Sequence, residues 1–232
     1  MGYCLFHLPL LSVQPVSVEH AVLFYLDYET TGLDVVNDHV VEVGVVTESG
    51  ACFRTVVRPP VLAQGSAVHG IPNAELIEGP SFALAQTRMT AFIQHLVDNS
   101  LEDSRLVGKL PRPKENAQAV LCAHNGRACD FPLLFCECHR CNVHPPASWC
   151  FVDTLEVAKA LNVPCAKLQC LRRLASDGSL RAHRALDDVL ALREVVSALA
   201  ATQGLRPWDL LKFFVFAVDV NGTLSRISVL RS

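Results

Sequence analysis

The chain alternates between short, almost unbroken apolar runs and longer stretches whose apolar residues recur at helical spacing. Ala21–Asp27 is nearly continuous in apolar character, which predicts a central strand covered on both faces. Val40–Thr47 and Ala51–Val57 follow, joined by Glu48-Ser49-Gly50, a turn-like link that predicts an antiparallel hairpin. The stretch from Pro59 to Pro80 is loop-rich. Ser81 then stands as an N-cap, and Phe82, Ala85, Met89, Phe92, Ile93 and Leu96 recur at helical spacing through Val97. Residues 100–118 are polar, with Lys109, Arg112 and Lys114 set around Pro111 and Pro113, and read as a loop.

The second half has a different rhythm. Strand-like Ala119–Ala123 is followed by a helix from about Phe131 to Arg140, and a short strand at Cys150–Val152 precedes helices at Thr154–Leu161 and Leu168–Ala175. A long helix begins near Leu186 and ends before Gly204. Pro207 can open a last short helix, and Phe214–Val220 pairs through Asn221-Gly222 with Leu224–Leu230 as a hairpin. Antiparallel strands first, then strands alternating with helices, indicate an α/β fold: a mixed five-stranded sheet flanked by helices, with a C-terminal β-hairpin extension. The expected division is a tail over 1–20, a main domain over 21–203, and a short helix and hairpin over 204–232.

Composition narrows the setting. Half of the 232 residues are hydrophobic, enough for a sizeable core. Ten cysteines show no short secreted framework, and Cys122 and Cys165 lie in core-like runs, so reduced thiols in an intracellular protein are expected. Nucleus or cytoplasm fits, with the mitochondrion left open. The formal net charge of -3 argues against a generic, charge-driven nucleic-acid binder. It does not exclude an enzyme whose carboxylates are offset by bound cations. The apolar patches of Met1–His20 are broken by Pro9 and Pro15 and fall short of the roughly 20 residues a membrane span needs, so no membrane association is expected.

Candidate chemistry lies in three segments. Asp27 and Glu29 are two apart at the end of the first apolar strand, so both carboxylates share one face. Asp130 follows a second apolar strand, after His124-Asn125-Gly126, and opens a helix. His183 and Asp188 are five apart around the start of the long helix, where both can face one cleft. Taken singly, these are solvated strand-end acids, a helix-capping acid and a surface histidine. Taken together, four carboxylates suit hard divalent cations, and a histidine is a usable base near neutral pH. That combination suits phosphodiester hydrolysis by two metals about 3.5–4 Å apart. Asp187 is a decoy, because the apolar positions around it turn its side chain toward solvent.

These segments resemble the three motifs of the DEDDh 3′→5′ exonucleases, the DnaQ-like group with a ribonuclease-H-like fold. The family's acidic residues match Asp27, Glu29, Asp130 and Asp188, and its general base matches His183. Val68-His69-Gly70-Ile71 looks like a loop signature of proofreading-type members. His124-Asn125-Gly126, Asp130-Phe131-Pro132-Leu133-Leu134, Val152-Asp153 and the stretch from His183 to Leu192 look most like three-prime repair exonucleases, over roughly residues 20 to 200. The resemblance implies an exonuclease domain that removes 5′-mononucleotides from 3′ ends with two Mg²⁺ ions, or Mn²⁺ as substitute. It also implies that Thr30, Thr31 and Leu33 hold the terminal nucleotide, with Leu33 against the base and His124 and Asn125 near the scissile end. Cys129 stands where the family usually has an aromatic residue. The expected partners are 3′ ends of single-stranded DNA, with RNA and a homodimer left open. An inert binding module on the same fold is the rival of a different class.

Other features have plainer readings. Cys136, Cys138, His139, Cys141 and His144 do not follow a usual zinc spacing and fall on one helix, which splays them. Arg127 and Arg184 are the better candidates for phosphate contact, whereas Arg172, Arg173 and Arg181 read as solvated surface groups. Asp153 reads as a helix cap, and His69 as a loop-packing residue.

Overall fold

The computed structural model describes residues 21–61, 69–100, 117–175, 184–218 and 224–226. Strands β1 (Ala21–Thr30), β2 (Val40–Thr47) and β3 (Cys52–Val56) form an antiparallel meander. A short helix α1 (Asn73–Glu78) and the long α2 (Phe82–Asp98) lead to β4 (Gln118–Ala123). Next come α3 (Asp130–Arg140), β5 (Cys150–Asp153), α4 (Thr154–Ala160), α5 (Leu168–Ala175) and α6 (Ala185–Thr202). The chain closes with α7 (Pro207–Leu211), a 3₁₀ turn at Lys212–Phe214, β6 (Val215–Val218) and β7 (Leu224–Arg226).

These strands make one mixed seven-stranded sheet in the order β3-β2-β1-β4-β5-β6-β7. β1, β4 and β5 run parallel at its centre, while β2, β3, β6 and β7 pair antiparallel to their neighbours. The expected five strands are therefore present, and the C-terminal hairpin extends the same sheet from β5. Its turn, Asn221-Gly222, lies outside the described residues, as do the tail 1–20, the Lys109–Lys114 segment and His183.

Alternation along β1 and β4 assigns their side chains to two cores. Phe24, Leu26, Tyr28, Leu121 and Ala123 pack with residues of α2 and α3 on one face. Leu23, Tyr25, Val120 and Cys122 pack with Val189, Leu192 and Val196 of α6 on the other. Both faces are covered, which is why the central strands carry so few polar residues before their ends. Ser81 caps α2 by accepting from the Leu84 amide, as its position after Pro80 foretold.

Two expectations need correction. The loop-rich stretch before Pro80 contains α1, a six-residue helix held by the fully buried Leu76. It is too short for periodicity to reveal. Cys165 and Cys170 form a disulfide, their Cα atoms 5.9 Å apart across the entry to α5, where the chain turns back closely enough to join them. Cys165 is half-buried rather than core. Seven other described cysteines are free thiols, Cys122 among them and fully buried. Among the described residues no helix is long and apolar enough to cross a membrane.

Candidate metal centre

Asp27 and Glu29 share the face of β1 that Leu23 and Tyr25 occupy, the face under α6. Beyond Tyr25 the apolar alternation stops, and the two carboxylates stand where the next core positions would be. Asp188 comes down from the first turn of α6. Ligand oxygens of Asp27, Glu29 and Asp188 lie within 4.8 Å of one another, and this is the only such group of metal-ligating side chains among the described residues. Asp187 lies outside it. Asp130, at the first position of α3, is 7 % exposed, and its Oδ1 accepts from the Tyr28 amide at 3.2 Å. That contact fixes it beside the cluster through the β1 backbone rather than within the tight group of three.

The cluster is electrostatically uncomfortable without a cation. Burial pushes the Asp27 carboxyl well above its usual range, and the charges of Asp130, Asp188 and Glu29 add to the shift. Burial and the Asp188 charge raise Glu29 to about 7. Burial likewise raises Asp130 to about 7, although the Tyr28 amide pulls the other way. All the donors are carboxylate oxygens, the hard ligands that Mg²⁺ and Mn²⁺ prefer, so the residues present fit such ions.

What holds the cluster together was only partly legible from the motifs. Glu42, fully buried on β2, lies opposite Glu29 in the strand pairing. Its Oε2 accepts from the Ala185 amide at 3.0 Å, and Oε1 accepts from Arg54 at 2.6 Å and Arg184 at 2.9 Å. Gly44 lies opposite Asp27, and a Cβ there would come within 2.5 Å of the Ala185 carbonyl. Together Gly44 and Glu42 seat the start of α6 directly on the sheet, three residues before Asp188. A lone glutamate and glycine in Val40-Val41-Glu42-Val43-Gly44-Val45-Val46 were the available signal.

The arginine reading changes. Arg184 is engaged by Glu42, and Arg127 by Glu156 at 2.6 Å and by the Phe216 ring 4.6 Å below it. Arg172 is not a solvated surface group. Its Nη1 donates to Asp188 Oδ1 at 2.8 Å, with the two side chains 12 % and 13 % exposed.

Of the expected nucleotide-holding residues, Thr30 and Thr31 follow Glu29 directly in the chain, and Asn125 donates to Cys129, the neighbour of Asp130. Thr30 ends β1, Thr31 follows it, and the loop beyond presents Leu33 at 98 % exposure. Thr31 Oγ1 donates to Asp38 Oδ1 at 2.8 Å and accepts from the His39 amide at 2.9 Å, which shapes that loop. Helix α3 anchors it: Glu137 accepts from the Val40 amide at 3.0 Å, and Arg140 donates to the Val36 and Asp38 carbonyls. On the other side, Asp153 caps α4 through the Leu155 amide and accepts from the Asn125 and Arg127 amides. It thereby holds the His124–Arg127 turn, in which Asn125 takes the left-handed conformation at φ 61°. His124 Nδ1 lies 3.0 Å from Thr154 Oγ1, and burial lowers its pKa. Cys129 precedes α3 without capping it and accepts from Asn125 Nδ2 at 3.3 Å, so the thiol packs on the turn where an aromatic ring was expected. His69 Nδ1 accepts from the Ile71 amide at 3.1 Å, the packing role its loop position suggested.

No family model matches the chain. It is 30 % identical over 213 residues to exonuclease DPD1, chloroplastic/mitochondrial, of Arabidopsis thaliana, across 86 % of this chain and 63 % of that protein. The similarity to that exonuclease runs through most of this chain. It spans somewhat under two thirds of the length of the DPD1 relative. A similar fold is found in a 3′-exonuclease solved in a study of histone mRNA stem-loop 3′-end recognition, with a TM-score of 0.65, 15 % identity, and coverage of 91 % of this chain and 72 % of that one. A full-length 3′-exonuclease aligns with a TM-score of 0.65 and 15 % identity over 89 % of this chain and 90 % of its own. Cell-death related nuclease 4 aligns with a TM-score of 0.58 and 15 % identity over 80 % of this chain and 66 % of its own.

Proposed function

We propose that the chain is a metal-dependent 3′→5′ exonuclease of the DEDDh branch, releasing 5′-mononucleotides from 3′ ends, with single-stranded DNA preferred. The observation that carries this reading is the convergence of Asp27, Glu29 and Asp188 within 4.8 Å, from two elements far apart in sequence, on the fold of a 3′–5′ exonuclease family. Exonucleases of this family generally need divalent metal ions, and Asp27, Glu29, Asp130 and Asp188 would hold two Mg²⁺ here, with Mn²⁺ as substitute. When bound, the ions supply Lewis acidity toward the attacking water and positive charge against the phosphate.

The chain's own residues do the rest. Leu33, a large apolar side chain left in water, stacks on the terminal base, and Thr30 and Thr31 hold its sugar. His124 and Asn125 flank the scissile end. His183, which the motif resemblance assigns as general base, takes a proton from the attacking water. Water oxygen bonds to phosphorus, the 3′ oxygen leaves and is protonated, and a 5′-mononucleotide departs from a strand shortened by one residue. The compartment proposed is intracellular, organelles included, since the Arabidopsis relative is named chloroplastic/mitochondrial.

The test uses 5′-labelled and 3′-labelled DNA and RNA strands with Mg²⁺, beside Asp188→Ala and His183→Ala. The 5′-labelled DNA should shorten stepwise while the 3′ label appears at once as mononucleotide, with Asp188→Ala inactive. His183→Ala should slow turnover far more than it weakens strand binding. No mononucleotide from either polymer would refute the enzyme reading and leave an inert nucleic-acid-binding module. Release from RNA alone would move the assignment to RNA 3′-end trimming. The likeness in fold to a 3′-exonuclease that recognises an mRNA stem-loop supports keeping that second reading in the test.

A further inference from the structure

Arg172 is the arginine at the acidic cluster with a buried side-chain nitrogen that has no hydrogen-bond partner among the described residues. Arg54 and Arg184 are engaged by Glu42, and both also approach Glu75. Arg172 instead reaches from α5 to Asp188, a proposed metal ligand, and donates through Nη1 alone. Its Nη2 is buried and has no hydrogen-bond partner. Nearly all buried donors in folded proteins are satisfied, so an orphan here calls for an acceptor that the described residues do not supply. The guanidinium is a rigid planar fork, which puts Nη2 beside the nitrogen already bound to Asp188. The missing acceptor therefore belongs next to the carboxylate cluster.

We propose that Arg172 is a phosphate-binding residue of this exonuclease, with Nη1 anchored by Asp188 and Nη2 donating to a non-bridging oxygen of the phosphate being released. The inference rests on the exonuclease reading above. A cation would fill the cluster but cannot accept a hydrogen bond. The phosphate brought there by the substrate can, and guanidinium geometry matches phosphate oxygens. The charges agree as well: four carboxylates are balanced by two divalent ions, and Arg172 then adds one positive charge opposite the single negative charge of a phosphodiester. The disulfide between Cys165 and Cys170 ties the first turn of α5 to the loop before it, which limits how far Arg172 can wander.

The test is calorimetric titration of thymidine 5′-monophosphate, and of thymidine as the phosphate-free control, into the full chain with Mg²⁺. Mn²⁺ affinity is measured in parallel. Arg172→Met should weaken the monophosphate roughly ten- to a hundredfold, the scale of a charge-assisted hydrogen bond. Thymidine binding should hold, and Mn²⁺ affinity should change far less than monophosphate affinity. Arg172→Gln keeps a donor for Asp188 without the charge and should show the same loss, which guards against a folding defect in one variant. Unchanged monophosphate affinity in the folded variants would overturn the inference. So would tighter Mn²⁺ binding with monophosphate affinity kept, since Arg172 would then only neutralise Asp188. Wild type that degrades strands in that case leaves the exonuclease reading standing, whereas wild type that neither cleaves nor binds the monophosphate overturns both.

Discussion

Glu29 and Asp130 carry opposite demands. The metal reading needs them ionised, while burial and neighbouring carboxylates favour the protonated form and hold both near 7, above their ordinary values of 4.5 and 3.8. In the metal-free chain the folded state therefore binds protons that the unfolded state has already lost across this window. Stability from these groups falls as pH rises toward 7 and is fully lost above it. In the presence of a chelator, the melting temperature should drop by a few degrees between pH 5.5 and 7.5, about the shift that 1 kcal/mol gives in a chain of this size. Asp130→Asn should flatten that dependence, and added Mg²⁺ should oppose it by favouring the ionised carboxylates. A melting temperature that rises over the same range in both proteins would show that the cluster is not repulsive. The acids stood out in the sequence because Asp27 and Glu29 end an apolar strand while Asp130 and Asp188 lie in the first turns of helices, positions set by local pattern. Arg172 did not, because its burial depends on α5 packing near α6, which no spacing records.

At the scale of elements, the seat of α6 decides whether Asp188 meets Asp27 at all. Gly44 and Glu42 make that seat through contacts with Ala185 and Arg184 that span about 140 residues of chain. Strand β2 was legible as an apolar run, but the reason its interior contains a glycine was not. A methyl group at Gly44 has no flexible neighbour to push aside, only the backbone of α6. Gly44→Ala should cost roughly 1–3 kcal/mol in urea unfolding, the usual range for overpacking. It should also reduce nuclease activity beyond what lost stability explains, because Asp188 moves with the helix. Wild-type activity in the folded variant would mean the helix seat tolerates displacement. The loop that carries Leu33 shows the same division: Leu33 was singled out through the motif resemblance, whereas its exposure and the loop's anchoring by Glu137 and Arg140 appear only after folding.

Across the whole molecule, the mixed sheet, the first hairpin and the two covered faces of β1 were legible in the alternation of runs and turns, whereas the strand order was not, because it depends on which strands the helical connections bring together. The role of residues 204–232 was less legible. Expected as an extension, this segment places Leu211 and Val215 fully buried in one core, and Phe216, 3 % exposed, in the other. Ending the chain at residue 203 should therefore destabilise it by on the order of 5 kcal/mol or more, since each large apolar side chain contributes about 1.5–3 kcal/mol on burial. Urea unfolding of the shortened chain checks this, and an unchanged midpoint would make the hairpin dispensable.

Mn²⁺ binding followed by electron paramagnetic resonance, without any substrate, reports whether the converging acids form a divalent-metal site. Wild type should bind two Mn²⁺ per chain competitively with Mg²⁺, with Asp188→Asn and Asp27→Asn each losing at least one ion while remaining folded. Absence of binding in wild type, or the same stoichiometry and affinity in both variants, would contradict it.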